Sequence, residues 1–181
     1  NYKIFDDLTL FTNLAIIRSK VDISNLVSSA TLRNIPMQGQ SPYVFNGGFQ
    51  YMNKEFGWSG TLNMNKVGDR IAIHQNQTPG GATPAFWEKG RTFLDLQIAK
   101  TLMNNKLELK FNVQNILAQD LIFYQNNELD TADKFSGMTA FFNSVFTGDP
   151  QDKNGFDASE DDMVWKTKFV PTFSLSINYN F

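Results

Sequence analysis

The chain of 181 residues contains no cysteine, one histidine and no long apolar run, and each absence excludes a class of protein. Without cysteine, no disulfide can hold the fold together. With His74 as the only histidine, neither a histidine metal cluster nor a Ser-His-Asp triad can be built. No apolar stretch approaches the roughly 18 residues of a membrane helix. The net charge of −2 argues against a nucleic-acid partner.

The last nine residues, FSLSINYNF, alternate strictly between large apolar and small polar side chains. Alternation with a period of two predicts a β-strand whose two faces differ. The apolar face of such a strand contacts either the core of a soluble sandwich or the lipid around a transmembrane barrel. This strand alone does not distinguish the two.

The same alternation recurs along the chain and predicts about six strands. The least regular of them is the first, because Phe11 and Ile17 interrupt its polar face. The predicted strands cover approximately residues 4–22, 43–51, 56–65, 94–98, 107–114 and 173–181. After Asn115 the alternation slips, which predicts a bulge or the end of the regular strand.

The connections between these strands alternate in length. MNKE (52–55) and MNNK (103–106) are short, whereas the segments at about 23–42, 76–91 and 125–164 are long. Outer-membrane barrels have this asymmetry, with short periplasmic turns and long extracellular loops. A sandwich with Greek-key crossings is not expected to sort its connections in this way. The sequence therefore predicts an all-β, antiparallel, up-and-down transmembrane β-barrel in contact with outer-membrane lipid.

The charges agree with this prediction, because none falls on the apolar side of the predicted strands, where a cation at the bilayer midplane costs about 2–4 kcal/mol. The residues that we expect to face lipid are Tyr43, Phe45, Phe49, Tyr51, Trp58, Leu62, Phe111, Phe173, Leu175 and Ile177. The residues that we expect to face the lumen are Asp95, Glu108, Lys110, Asn112 and Gln114. Tyr43 and Tyr51 lie about 26 Å apart along their strand, which predicts one ring at each membrane interface.

Six strands are too few to close a transmembrane barrel, since single-chain barrels begin at about eight strands. An open edge in hydrocarbon would leave backbone groups unpaired. The chain also enters its first strand without an initiator methionine or a secretory signal. We therefore expect residues 1–181 to be the C-terminal part of one larger barrel domain.

Several segments, in order, resemble the last strands of TonB-dependent outer-membrane receptors: RNIPMQGQSPYVFNGGFQY (33–51), NKVGDRI (65–71), FLDLQIAKTLMNNKLELKFNVQNILAQDLIFYQ (93–125) and the terminal aromatic strand. The resemblance covers nearly the whole chain and is weakest in the loop at 126–163. It implies a barrel of about 22 strands with an N-terminal plug, located in the outer membrane of a Gram-negative bacterium.

The same resemblance implies a function and two partners. The function is uptake of a scarce nutrient, energised through TonB, with the plug and the TonB-contacting segment upstream of Asn1. The terminal INYNF is similar to the signal read by the barrel-assembly machinery, with Tyr179 and Phe181 at its aromatic positions. Two alternatives stay open: a structural or assembly subunit of a larger outer-membrane complex, and a passive porin. We expect no enzyme and no cofactor, because no nucleophile is accompanied by a base.

Two further features of the long loops invite a functional interpretation. The acidic residues Asp157, Glu160, Asp161 and Asp162 form a weak calcium candidate, against which stands a simple solvated loop. Five phenylalanines in one loop need burial, which predicts internal packing, with substrate contact or a surface lipoprotein lid as alternatives. They are Phe135, Phe141, Phe142, Phe146 and Phe156.

Overall fold

The computed structural model describes residues 2–5, 7–22, 34–74, 76–78, 81–83, 85–125 and 156–180, and these are all-β with antiparallel pairing. Within these ranges, no helix is long and apolar enough to span a membrane. The strands are β1 (Tyr2–Phe5), β2 (Leu8–Ile16), β3 (Val21–Asp22), β4 (Asn34–Ile35), β5 (Tyr43–Asn53), β6 (Trp58–Val67), β7 (Arg70–Ile73), β8 (Asn76–Thr78), β9 (Gly81–Thr83), β10 (Phe86–Glu88), β11 (Arg91–Leu102), β12 (Leu107–Gln114), β13 (Leu121–Gln125), β14 (Asp162–Thr167) and β15 (Thr172–Tyr179).

Seven of these strands form the main sheet, in the order β1-β2-β5-β6-β11-β12-β15. Every neighbour in this order is antiparallel, and the order follows the chain, so the up-and-down arrangement is confirmed. Over the described residues the sheet is open, with β1 at one edge and β15 at the other.

The prediction of a single first strand over 4–22 is wrong. That segment contains β1, a turn at Asp7 and β2, so the main sheet has seven strands and not six. Asp7 suits this turn because its side chain accepts a hydrogen bond from Asn53 Nδ2 at 2.6 Å, and its carbonyl accepts one from the Met52 N–H at 2.8 Å.

Both predicted short turns are present: the second lies at 103–106 as predicted, and the first lies at 54–57, two residues later than the predicted 52–55, because β5 extends to Asn53. In the second, Met103, Asn104 and Asn105 have positive φ angles of 53°, 52° and 70°. Asparagine is among the residues that tolerate this left-handed region best, which explains the composition of the turn. Phe56, which we predicted at the start of a strand, lies in the first turn instead, and β6 begins at Trp58.

A second sheet of four strands, in the order β14-β13-β10-β7, continues the main sheet beyond its loop end. Each of its strands is joined along the chain to one strand of the main sheet, and the lateral order is the same. The loop predicted at 76–91 therefore contains β8, β9 and β10, and β13 and β14 overlap the two ends of the loop predicted at 125–164. β3 with β4 and β8 with β9 form two further short pairs.

The slip in alternation after Asn115, which predicts a bulge or the end of the regular strand, falls where β12 ends and the main sheet stops. β12 ends at Gln114, and Asn115 has a positive φ of 53°. The Asn115 N–H donates to Asp95 Oδ1 at 2.7 Å, and the Ile116 N–H donates to the Leu94 carbonyl at 2.8 Å. These bonds hold the irregular segment against β11, so the prediction that the regular strand ends here is confirmed.

The buried core of the described residues lies on the second sheet. Ile71, Trp87 and Tyr124 are directly paired across β7, β10 and β13, and none is more than 2% exposed. Phe156 packs against this cluster, with its ring centroid 5.2 Å from that of Tyr124. Of the five loop phenylalanines, Phe156 is thus packed internally, and the other four lie outside the described residues.

Candidate functional site

The register of the main sheet places the predicted lipid-facing residues on one common face. Directly paired residues of an antiparallel sheet share a face. Phe49 pairs with Leu10 and Leu62, and Phe111 pairs with Ile98 and Leu175, so the apolar positions of all six long strands coincide. We call this the apolar face. It carries Tyr43, Phe45, Phe49, Tyr51, Trp58, Leu62, Phe111, Phe173, Leu175 and Ile177.

Charged residues occupy only the two ends of the apolar face, among the paired residues of β2, β5, β6, β11, β12 and β15. Lys100 pairs with Trp58 at the short-turn end, and its ammonium lies 4.8 Å from the Trp58 ring and donates to the Phe56 carbonyl. Lys66 pairs with Phe45 and Thr92 at the loop end. The predicted segments excluded both lysines because the real strands are longer. Long cationic side chains at such ends reach polar surroundings while their stems cover apolar surface.

One predicted interfacial residue does not lie at the surface. Tyr43 is 4% exposed, whereas Tyr51 at the other end of β5 is 41% exposed. The Tyr43 ring packs so closely on Gly68 that a Cβ there would lie 2.8 Å from Cε1 of the ring. The absence of a side chain at Gly68, in the break between β6 and β7, therefore allows Tyr43 to be buried. The alternation within β5 contained no signal for this contact.

The opposite, polar face carries all five predicted lumen residues, and most of them bond to one another or to the backbone. Glu108 pairs with Lys110 at 3.6 Å and accepts a hydrogen bond from Asn178 at 3.0 Å. Asn112 donates to Ser174 at 3.2 Å. Asp95 accepts the Asn115 N–H, and Gln114 is exposed at the end of β12. The face is thus lined by charged and amide groups, several of which are joined in pairs by side-chain contacts.

A group that the sequence did not indicate lies at the loop end of the polar face. Glu88 Oε2 accepts hydrogen bonds from Arg70 Nε at 2.8 Å and from Arg70 Nη2 at 2.7 Å. Glu88 Oε1 lies 3.4 Å from Arg91 Nη2. Glu88 falls inside the segment predicted as a loop, and only the pairing of β10 with β7 brings it opposite Arg70. We call these three residues the arginine cluster.

A second polar centre joins the two sheets at Asp69, between β6 and β7. Its Oδ2 accepts the Tyr124 hydroxyl at 2.7 Å, and its Oδ1 accepts the Gly90 N–H at 2.8 Å. Loss of hydration raises the pKa of Asp69, and the hydrogen bonds from Tyr124 and Gly90 partly oppose that shift. Asp69 therefore ties β13 and the β10–β11 connection to the end of β6.

Two of the four acidic residues of the calcium candidate, Asp157 and Asp161, bond within their own turn. Asp157 Oδ1 accepts the N–H and the hydroxyl of Ser159, which lowers the pKa of Asp157. Asp161 Oδ2 accepts the Asp157 N–H at 2.8 Å. In the part of the chain that the structure describes, no three His, Asp or Glu residues are placed to hold a metal ion. These contacts fit a solvated turn that its own carboxylates stabilise.

The remaining predicted positions lie at strand ends. His74 directly follows β7, at the end of that strand, and partial burial lowers its pKa. Tyr179 is the last residue of β15 and pairs with Leu107, while the next residue donates its N–H to the Lys106 carbonyl at 2.8 Å. Phe181 lies outside the described residues.

A comparison of this chain with protein-family models, with curated proteins and with solved structures finds no match.

Proposed function

We propose that the main sheet is part of the wall of a transmembrane β-barrel in the outer membrane of a Gram-negative bacterium, with the apolar face against lipid. The observation that carries the proposal is the distribution of charge on that face. From Trp58 to Met64 the apolar positions of β6 are uncharged, and Lys66 and Lys100 lie only at the two ends. A charged side chain is costly in the hydrocarbon region of a membrane and tolerated at its two interfaces, and the charges on the apolar face are distributed in this way.

Exposure supports lipid as the partner of this face. Phe173, Leu175 and Ile177 on β15 are 64%, 69% and 65% exposed. A soluble sandwich would need a second apolar layer over such residues, because contiguous exposed apolar surface is rare on soluble monomers. The charged and amide groups of the other face fit a water-filled or plugged lumen.

Within this wall, we propose the function of a TonB-dependent transporter that takes up a scarce nutrient with energy delivered through TonB. The support is the ordered resemblance of residues 33–51, 65–71 and 93–125 to that family, together with the alternation of short turns and long loops. In this proposal the barrel-assembly machinery inserts the chain by reading its terminal aromatic strand.

The membrane orientation can be tested with single cysteines, because the chain has none of its own. Leu175→Cys and Ser174→Cys are neighbours on β15 that point to opposite faces, so each is the matched control of the other. An environment-sensitive fluorophore on each cysteine, in protein folded into vesicles, reports contact with brominated lipid by quenching. We expect strong quenching at position 175 and little at 174. Equal, weak quenching at both would overturn the membrane wall.

The transport class needs a separate test in cells. A strain that lacks this protein and a strain that lacks TonB should show the same growth defect on media limited in one nutrient, and the double mutant should be no worse. A strain that lacks TonB and grows like the wild type on that medium, while the strain that lacks this protein does not, would favour a passive porin. Loss of a co-purifying outer-membrane complex, with uptake intact, would favour the structural role.

A further inference from the structure

We propose that the arginine cluster is a binding site for an oxyanion, a carboxylate or phosphate group carried by a small water-soluble solute. The site lies at the loop end of the polar face, where Arg70, Glu88 and Arg91 surround a cavity of about 120 Å³. The inference that this site lies on the path of a solute rests on the proposed barrel, whereas the inference that it binds an anion does not.

The cluster has more donors than its carboxylate can use. Arg70 and Arg91 each carry five N–H groups. Glu88 accepts two hydrogen bonds from Arg70 and a longer contact from Arg91, and within the described residues the two guanidiniums have no other acceptor. Two cations against one anion leave a net positive charge. Planar guanidinium groups with free N–H pairs match the geometry of carboxylate and phosphate oxygens.

The cations are fixed in place before any ligand arrives. The Arg91 guanidinium lies 5.0 Å from the Phe93 ring centroid and 5.5 Å from that of Phe169, so two aromatic rings hold it. Its side chain is 16% exposed, and that of Arg70 is 39% exposed. Partial burial strengthens the attraction for an anion because water screens the charge less. The ordering cost of binding is correspondingly small.

The location indicates access from the polar side. Arg91 pairs with Val67, and Phe93 pairs with Asn65, which hydrogen-bonds Asn46 on the same face. All of these residues share the face of Asp95 and Asn112. Lys89 also borders the cavity, but its ammonium lies 5.0 Å from the Phe156 ring centroid, and we do not count it in the cluster.

The size of the cavity limits the ligand. A cavity of about 120 Å³ is large enough for several water molecules or for one small oxyanion. Drug-sized ligands occupy pockets of about 300–1,000 Å³. The site therefore accommodates the oxyanion group of a solute, and the remainder of that solute lies outside it. Glu88 competes with the ligand for both arginines, so its negative charge sets the affinity.

The test is a titration of the detergent-purified full chain with inorganic phosphate, followed by ³¹P line broadening, with acetate as competitor. Glu88→Gln keeps the shape of the side chain and removes its charge, and we expect tighter binding by about tenfold, the effect of one charge-assisted interaction. Arg91→Gln and Arg70→Gln should each weaken binding by a similar factor. Lys106→Gln, in the short turn at the other end of the sheet, is the control and should change nothing.

A purely structural ion bridge would behave differently. Glu88→Gln would then fail to tighten phosphate binding, and the arginine variants would leave the line width unchanged, which overturns the site. If Glu88→Gln does not fold, the two arginine variants decide in the same way. Displacement of phosphate by lipopolysaccharide would overturn the assignment to a solute. Failure of the cysteine test with phosphate binding intact would overturn the barrel and leave the anion site standing.

Discussion

The Tyr124 hydroxyl donates a hydrogen bond of 2.7 Å to the carboxylate of Asp69, from a strand 55 residues further along the chain. Tyr124 belongs to the second sheet, and Asp69 lies where β6 leaves the main sheet. The bond fixes the second sheet relative to the main sheet. It also gives the Asp69 carboxylate, which is largely removed from water, a hydrogen-bond donor. Loss of the bond would leave that carboxylate with one partner fewer.

Tyr124→Phe removes that donor and leaves the packing of the ring unchanged. We expect the free energy of unfolding to fall by about 1–3 kcal/mol, because a poorly hydrated carboxylate loses a partner. Denaturant unfolding of detergent-folded protein, followed by tryptophan fluorescence, measures the change. Tyr51→Phe, at an exposed position, is the control and should stay within about 0.5 kcal/mol of the wild type. Equal effects of the two variants would show that the bond contributes nothing.

The raised pKa of Asp69 predicts a pH dependence of stability. A carboxyl whose pKa is higher in the folded state binds its proton more tightly there, so its contribution is fully present below about pH 3.9, the unfolded value. That contribution is lost as the pH rises through the folded pKa. Asp69→Asn cannot ionise, so we expect its stability relative to the wild type to be greater at pH 8 than at pH 4. The measurement is denaturant unfolding at both pH values, and an equal difference at both would contradict the prediction.

Gly48 lies where the sheet leaves no room for a side chain. A Cβ at this position would lie 2.2 Å from the Leu62 carbonyl oxygen and 2.6 Å from the ring of Phe11. Gly48→Ala should therefore lower the free energy of unfolding by about 1–3 kcal/mol or more, the loss typical of overpacking. Gly60→Ala is the matched control in the neighbouring strand, since its Cβ would meet only the Gln97 carbonyl oxygen at 3.6 Å. Unfolding curves of the two variants compare them, and an equal loss would contradict the clash.

A charge placed on each face of β15 in turn tests whether that face contacts lipid or water. Leu175→Arg puts a cation near the middle of the apolar face, and we expect folding into lipid vesicles to lose about 2–4 kcal/mol. Ser174→Arg puts the same charge on the polar face, and its effect should be within about 1 kcal/mol. Reversible unfolding from vesicles gives both values. A larger penalty at position 174 would reverse the assignment of the faces.

Periodicity predicted most of the main sheet. Alternation predicts at least the central part of β5, β6, β11, β12 and β15, and asparagine and lysine mark the two short turns. The sequence does not predict the division of the first segment into β1 and β2, because Phe11 lies on the polar face and interrupts the alternation of apolar and polar side chains. Phe11 is placed there because it lies over Gly48 on the adjacent strand. A contact between two strands cannot be predicted from the side-chain pattern of one of them.

The second sheet and the arginine cluster were not predictable in the same way. β10 has only three residues, too few for alternation to be recognised, and it exists because β7 and β13 flank it. Glu88 and Arg70 are 18 residues apart and become partners only through that pairing. The burial of Tyr43 likewise depends on Gly68 and not on its own strand.

The sequence by itself determined which side chains share a face, because successive side chains of a strand point to opposite faces. Placing one residue on a face therefore places every second residue of that strand on the same face. It thereby determined the charge-free apolar band and the polar face opposite. Only the tertiary structure decided where the main sheet breaks and which distant charges meet at Glu88 and Asp69. Those outcomes depend on the register between strands that are far apart in the chain, which local periodicity does not encode.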